Sequence, residues 1–107
     1  MHGEVSIDVG RAVPRRTFLD PALPNPFNPS TTLRFGVSLA GAGELAVFDT
    51  RGRLVRSLWR AERAEPGFYR LVWDGRDDRG ALVASGVYYA RLLVAGRARG
   101  QRLTLLK

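Results

Sequence analysis

ELAVFDTRGRLVRSLW, residues 44–59, reads as two strands folded back on one another. Leu45 and Val47 fall on one face of the first strand, and residues 54–59 continue outward on the far side of the loop. Between them lies Thr50-Arg51-Gly52-Arg53, where Gly52 supplies the positive φ that a short hairpin loop needs. A period of two on both sides of a short glycine loop is the mark of an antiparallel hairpin. Parallel strands would need a crossover of a dozen or more residues, usually a helix, and no segment of the chain supplies one.

The same pattern extends in both directions. Residues 4–9 alternate, with Val5, Ile7 and Val9 on one side. Residues 10–24, broken by Pro14, Pro21 and Pro24, read as an irregular linker. Residues 32–37 put Leu33, Phe35 and Val37 on one face, and Gly41-Ala42-Gly43 reads as a turn. Residues 61–64 have helical propensity but are too few for an element. Residues 68–73 alternate, with Tyr69, Leu71 and Trp73 together, and residues 74–80, DGRDDRG, form a polar loop. Gly86 opens a strand with Tyr88, Ala90 and Leu92 on one face; residues 96–100 read as a turn and 102–107 as a last short strand. About seven short strands with turn signals at close intervals predict an all-β antiparallel sandwich. Trp59, Trp73, Phe35, Tyr69 and Tyr88 are its expected aromatic core.

Composition narrows the function. The chain has 107 residues and no cysteine, which removes disulfides and thiol chemistry. No apolar run approaches the length of a membrane span. Residues 1–16 lack the apolar stretch of a secretory leader, so the expectation is a cytosolic protein or a piece of a longer exported chain. The net charge of +7 raises nucleic acid as a partner, but the arginines are scattered and many alternate with apolar residues. A solvated, arginine-rich surface is the reading, with no nucleic acid expected.

Catalytic chemistry finds little to work with. The sole histidine, His2, leaves no base for a Ser-His-Asp or Cys-His arrangement away from the terminus. No phosphate-binding glycine motif is present, and a Cys/His metal site is excluded by composition. Asp74, Asp77 and Asp78 are the only carboxylate cluster. Their spacing departs from that of a calcium loop, and Arg76 and Arg79 intrude, so the expectation is a turn whose carboxylates cap backbone N–H groups. The chain reads as no enzyme, with no cofactor, metal or small-molecule substrate.

LPNPFNPSTT, residues 23–32, is the stiffest stretch. Each proline fixes its own φ and drives the preceding Asn25 or Asn28 toward an extended conformation. Asn28 and Ser30 are candidates to satisfy loose backbone groups, and Phe27 is expected against the edge of the sandwich. The corner delivers Thr31 into a strand in one register and divides the chain into residues 1–22, an N-terminal strand and linker or the end of a preceding region, and residues 23–107.

Residues 23–107 resemble a known family, the type A C-terminal sorting domains of the type IX secretion system, which are related to the Ig-like domain of the flagellar hook-capping protein. The likeness rests on five pieces in order: Asn25-Pro26-Phe27-Asn28-Pro29-Ser30-Thr31-Thr32; Leu45-Ala46-Val47-Phe48-Asp49 with Gly52-Arg53; Gly67 through Trp73-Asp74-Gly75-Arg76-Asp77; Gly80 with Ala84-Ser85-Gly86-Val87-Tyr88-Tyr89; and Leu103-Thr104-Leu105-Leu106-Lys107. The resemblance implies an immunoglobulin-like sandwich that labels an exported cargo for passage through the outer membrane to the cell surface or the medium. Its partner would be the protein secretion machinery. Arg102 stands where the family often has lysine.

An exposed edge strand can pair with a partner, so residues 102–107 are the candidate recognition strand. The residues singled out are Arg102, Leu103, Leu105 and Lys107, with Gly86 and Tyr88 on the strand expected beside them. Three other readings stay open: a filament subunit using residues 4–10 as a donor strand, a carbohydrate-binding module if Trp59 or Tyr89 is exposed, and a hook-cap module.

Overall fold

The computed structural model describes residues 5–8 and 12–107. The strands among them are β1 (Ser6–Asp8), β2 (Phe18–Leu19), β3 (Thr31–Val37), β4 (Gly41–Phe48), β5 (Leu54–Ala64), β6 (Gly67–Trp73), β7 (Gly86–Val94) and β8 (Arg97–Leu105). No helix is present among the described residues. Two four-stranded antiparallel sheets face each other, in the orders β1-β6-β3-β2 and β5-β4-β7-β8. The chain passes between the sheets after β3, β5 and β6, which makes an immunoglobulin-like sandwich.

Alternation places the core between the sheets as the sequence requires. Leu33, Phe35 and Val37 of β3, Leu45 and Val47 of β4, and Leu92 and Val94 of β7 are fully buried. The aromatics gather in two groups. Phe35 stacks on Tyr69 at 5.0 Å with Trp59 tilted against both. Trp73 packs on Phe27 and on Tyr88, each at 5.6 Å. Three of these rings place their polar handle on a carbonyl: Tyr69 Oη donates to Glu65 O, Tyr88 Oη to Ala84 O, and Trp73 Nε1 to Arg76 O. Among the described residues every buried side-chain nitrogen and oxygen has a partner.

Four readings change. Residues 61–64 are strand, because Ala61 and Ala64 pair across a bulge with Gly43 and Gly41, and long-range pairing overrides local helical propensity. For the same reason residues 41–43 open β4 instead of forming a turn. A Cβ on Gly43 would lie 2.9 Å from the Trp59 ring, so the bare backbone makes room for that indole. Residues 97–100 belong to β8, since the hairpin closes in the two residues Ala95 and Gly96, both at positive φ. The stretch read as linker contains β2, which pairs with β3, and Thr17, Leu19 and Ala22 are buried. At the N-terminus Ser6–Asp8 pairs with β6 of its own chain, with Ile7 exposed at the edge. Val9 lies outside the described residues.

Candidate partner-recognition site

The proline corner and the last strand, far apart in sequence, meet. Leu23 exchanges two backbone hydrogen bonds with Thr32 of β3, both at 3.0 Å. Four residues on, Phe27 N donates to Thr104 O and Phe27 O accepts from Leu106 N, so the corner lies parallel to β8. Residues 23–27 thus start at the edge of one sheet and end at the edge of the other, closing that side of the sandwich. Asn25 spans the gap with its side chain: Nδ2 donates to Arg102 O and Oδ1 accepts from Thr104 N, both at 2.9 Å. Phe27 is 2 % exposed and plugs the core against Trp73. The peptide bonds before Pro24, Pro26 and Pro29 are cis.

On the outer edge of β8, Arg102 O, both backbone groups of Thr104 and Leu106 N are therefore already bonded. The edge picked out from sequence is a covered edge. Leu103 and Leu105 are fully buried and Tyr88 nearly so, which makes them core. Arg102 and Lys107 are exposed, and Lys107 N donates to Ser85 Oγ, which pins the tail beside the turn before Gly86. Gly86 sits opposite Leu105 at the start of β7.

The rest of the entry motif is tied in through the loop after β6. Gly75 has a φ of +76, and a Cβ there would come within 2.7 Å of Pro29 O, so only glycine lets the loop approach the corner. Thr31 Oγ1 donates to Pro24 O at 2.6 Å. The side-chain hydrogen bonds fall on Asn25 and Thr31, while Asn28 and Ser30 make none among the described residues. Pro26 and Pro29 are exposed and act through the backbone they stiffen.

In residues 74–80 the carboxylates serve the backbone. Asp74 Oδ1 accepts from Arg76 N, Asp77 Oδ1 from Arg79 N and Ala81 N, and Asp78 Oδ1 from Ser57 N of β5. Asp78 N donates to Val55 O, so this loop covers part of the β5 edge. Arg56 is buried and its Nη1 donates to Asp74 Oδ1 and Arg76 O. Its role was readable only in its position, in step with the inward Leu58 on the same strand. Burial raises the hydroxyl pKa of Tyr69 and of Tyr88. Hydrogen bonds from the Arg53 backbone and side chain hold the Asp49 carboxyl below its usual range.

A model of the FlgD Ig-like domain family matches residues 28–96. No curated protein matches the chain. Among solved structures, dimeric latent PorU from Porphyromonas gingivalis superposes with a TM-score of 0.62 at 22 % identity, over 85 % of this chain and 10 % of that one. PorZ from the same bacterium, described as an essential surface component of its type IX secretion system, gives 0.55 at 23 % identity, over 85 % and 11 %. FlgD from P. aeruginosa gives 0.47 at 20 % identity, over 96 % and 71 %. The chain spans about a tenth of the length of the PorU and PorZ chains it resembles.

Proposed function

This chain belongs to the FlgD Ig-like domain family, and from that membership we propose that it is a non-enzymatic sorting module, the C-terminal label by which a longer exported protein is taken through the outer membrane by type IX secretion. The observation that carries the reading is the closure of the corner on β8. The two ends of the sorting motif, residues 25–29 and 102–107, form one object only when the sandwich has folded. A machine that grasps that object reads the folded state of its cargo along with the address. Likeness of fold to modules within PorU and PorZ supports a surface or secreted setting. The chain's small share of those proteins agrees with a label attached to something larger.

The partner is protein. At the junction, Arg102 and Lys107 are exposed and Gly86 is half-buried, backed by Leu103, Leu105 and Tyr88. No observation favours the filament reading, since residues 6–8 complete this chain's own sheet. For the carbohydrate reading, Trp59 turns inward onto Phe35 and Tyr69, leaving Tyr89 without that indole as a coplanar neighbour.

The test is a reporter enzyme with its own inner-membrane leader fused ahead of this chain, in a bacterium carrying type IX secretion. Removing residues 103–107 extracts two buried leucines and abolishes export by unfolding the label. Arg102→Glu with Lys107→Glu leaves the core intact and is expected to hold the reporter in the periplasm. If the truncated or the charge-reversed label still delivers reporter to the surface, the sorting reading is wrong.

A further inference from the structure

The outer face of the first sheet carries a pairing that the sandwich does not need. Arg34 of β3 stands directly opposite Arg70 of β6, and both side chains are exposed. Like charges directly opposite on neighbouring strands destabilise a sheet. Neither guanidinium makes an ion pair among the described residues. Asp20 N donates to Arg34 O, but the Asp20 carboxylate pairs with neither arginine. A local conflict kept on a surface is where function is to be sought.

What flanks the pair gives it the form of a binding trough. On one side run Leu23, Thr32 and Val72 in register across the sheet, with Leu23 66 % and Val72 41 % exposed. On the other run Phe18, Gly36 and Phe68, with the two rings 6.1 Å apart. A Cβ on Gly36 would run into the Phe18 ring, so the ring lies across the bare strand. Ser6 sits beside Arg70 at the far end. Two forked cations thus lie between two apolar banks, and the Leu23 bank begins where the proline corner begins.

We propose that this trough is a docking site for an acidic segment of a protein partner, one of whose carboxylates bridges Arg34 and Arg70 while neighbouring apolar side chains rest on Leu23 and Val72 and on Phe18. Guanidinium forks match carboxylate geometry, and an anion between them converts repulsion into two attractions. The site rests on the reading that the module is grasped by a protein, and adds to the junction of corner and β8 a second contact, on the face of the first sheet, with its chemistry. Because the ligand relieves a conflict of the free state, binding raises the stability of the fold.

The test uses the purified chain at low salt, where exposed charges are least screened. Three probes are added: a capped peptide with two glutamates between leucines, its glutamine counterpart, and inorganic phosphate. The glutamate peptide is expected to raise Tm by several degrees, the other two to leave it within a degree. Arg70→Thr is expected to melt at or above the unliganded parent and to lose the peptide response. A full response to phosphate alone, an undiminished response in Arg70→Thr, or no response in the parent each overturns the proposal. In the reporter assay, Arg70→Thr is expected to cut export at least tenfold although it folds; export at the parental level overturns the docking role and spares the sorting reading. A parental label that exports nothing sinks the sorting reading, while the peptide measurement stands by itself.

Discussion

Asn25→Ala, set beside Asn28→Ala, separates the two asparagines of the corner. They occupy equivalent places, each followed by proline, yet only Asn25 reaches β8, through one donated and one accepted hydrogen bond. A hydrogen bond contributes about 0.5–1.5 kcal/mol net, and both of these lie at an exposed edge, so the low half of that range applies to each. The expected loss for Asn25→Ala is therefore about 1–2 kcal/mol, and for Asn28→Ala less than about 0.5 kcal/mol. On a domain of this size the first corresponds to a fall in Tm of roughly 4–10 °C. Urea unfolding followed by the fluorescence of Trp59 and Trp73 measures both, with an unchanged slope expected because the folded surface hardly alters. Asn25→Asp keeps the acceptor for Thr104 N and loses the donor to Arg102 O, so it should fall between parent and alanine. Equal losses at Asn25 and Asn28, or no loss at Asn25, would refute the latch.

Four further outcomes follow from the same geometry. Phe27→Ala empties a core position against Trp73 and should cost about 3–5 kcal/mol by the same urea measurement. Gly75→Ala adds a Cβ against Pro29 O at positive φ and should cost at least about 1–2 kcal/mol, whereas Gly80→Ala, with open space around it, loses only the backbone term. Arg56→Met should cost on the order of 2 kcal/mol, less than a fully buried pair because Asp74 reaches water. The raised tyrosine pKa values mean that the stability these two hydroxyls contribute is fully present below pH 10.0 and is lost as pH rises through the higher folded values; Tyr69→Phe and Tyr88→Phe should each flatten the alkaline limb of a Tm–pH profile.

Much of the sandwich could be read from the chain because its signals are local. Leu33, Phe35 and Val37 announce a buried face by alternation, and Gly52 announces its hairpin by the φ that turn demands. Residues 61–64 misled because their alanines and charges favour a helix locally, while the partner that makes them strand, Gly41 to Gly43, lies twenty residues upstream. β2 is two residues long and leaves almost no period to detect. The resemblance brought residues 23–32 and 102–107 into view as separate motifs. That Asn25 grips the backbone of Arg102 and Thr104 is a contact across some eighty positions, and no spacing within either motif encodes it. The same contact explains why the last strand, expected as a free edge, is covered.

Amide hydrogen exchange at Thr104 and Leu106 tests the union of corner and last strand most directly. Both N–H groups point away from β7, and on a free edge they would exchange at nearly the rate of an open chain. With the corner closed, the account predicts protection in both approaching that of the β7 interior, with the protection of Thr104 falling in Asn25→Ala. Rapid exchange at both amides in the parent, beside a protected β7, would contradict it.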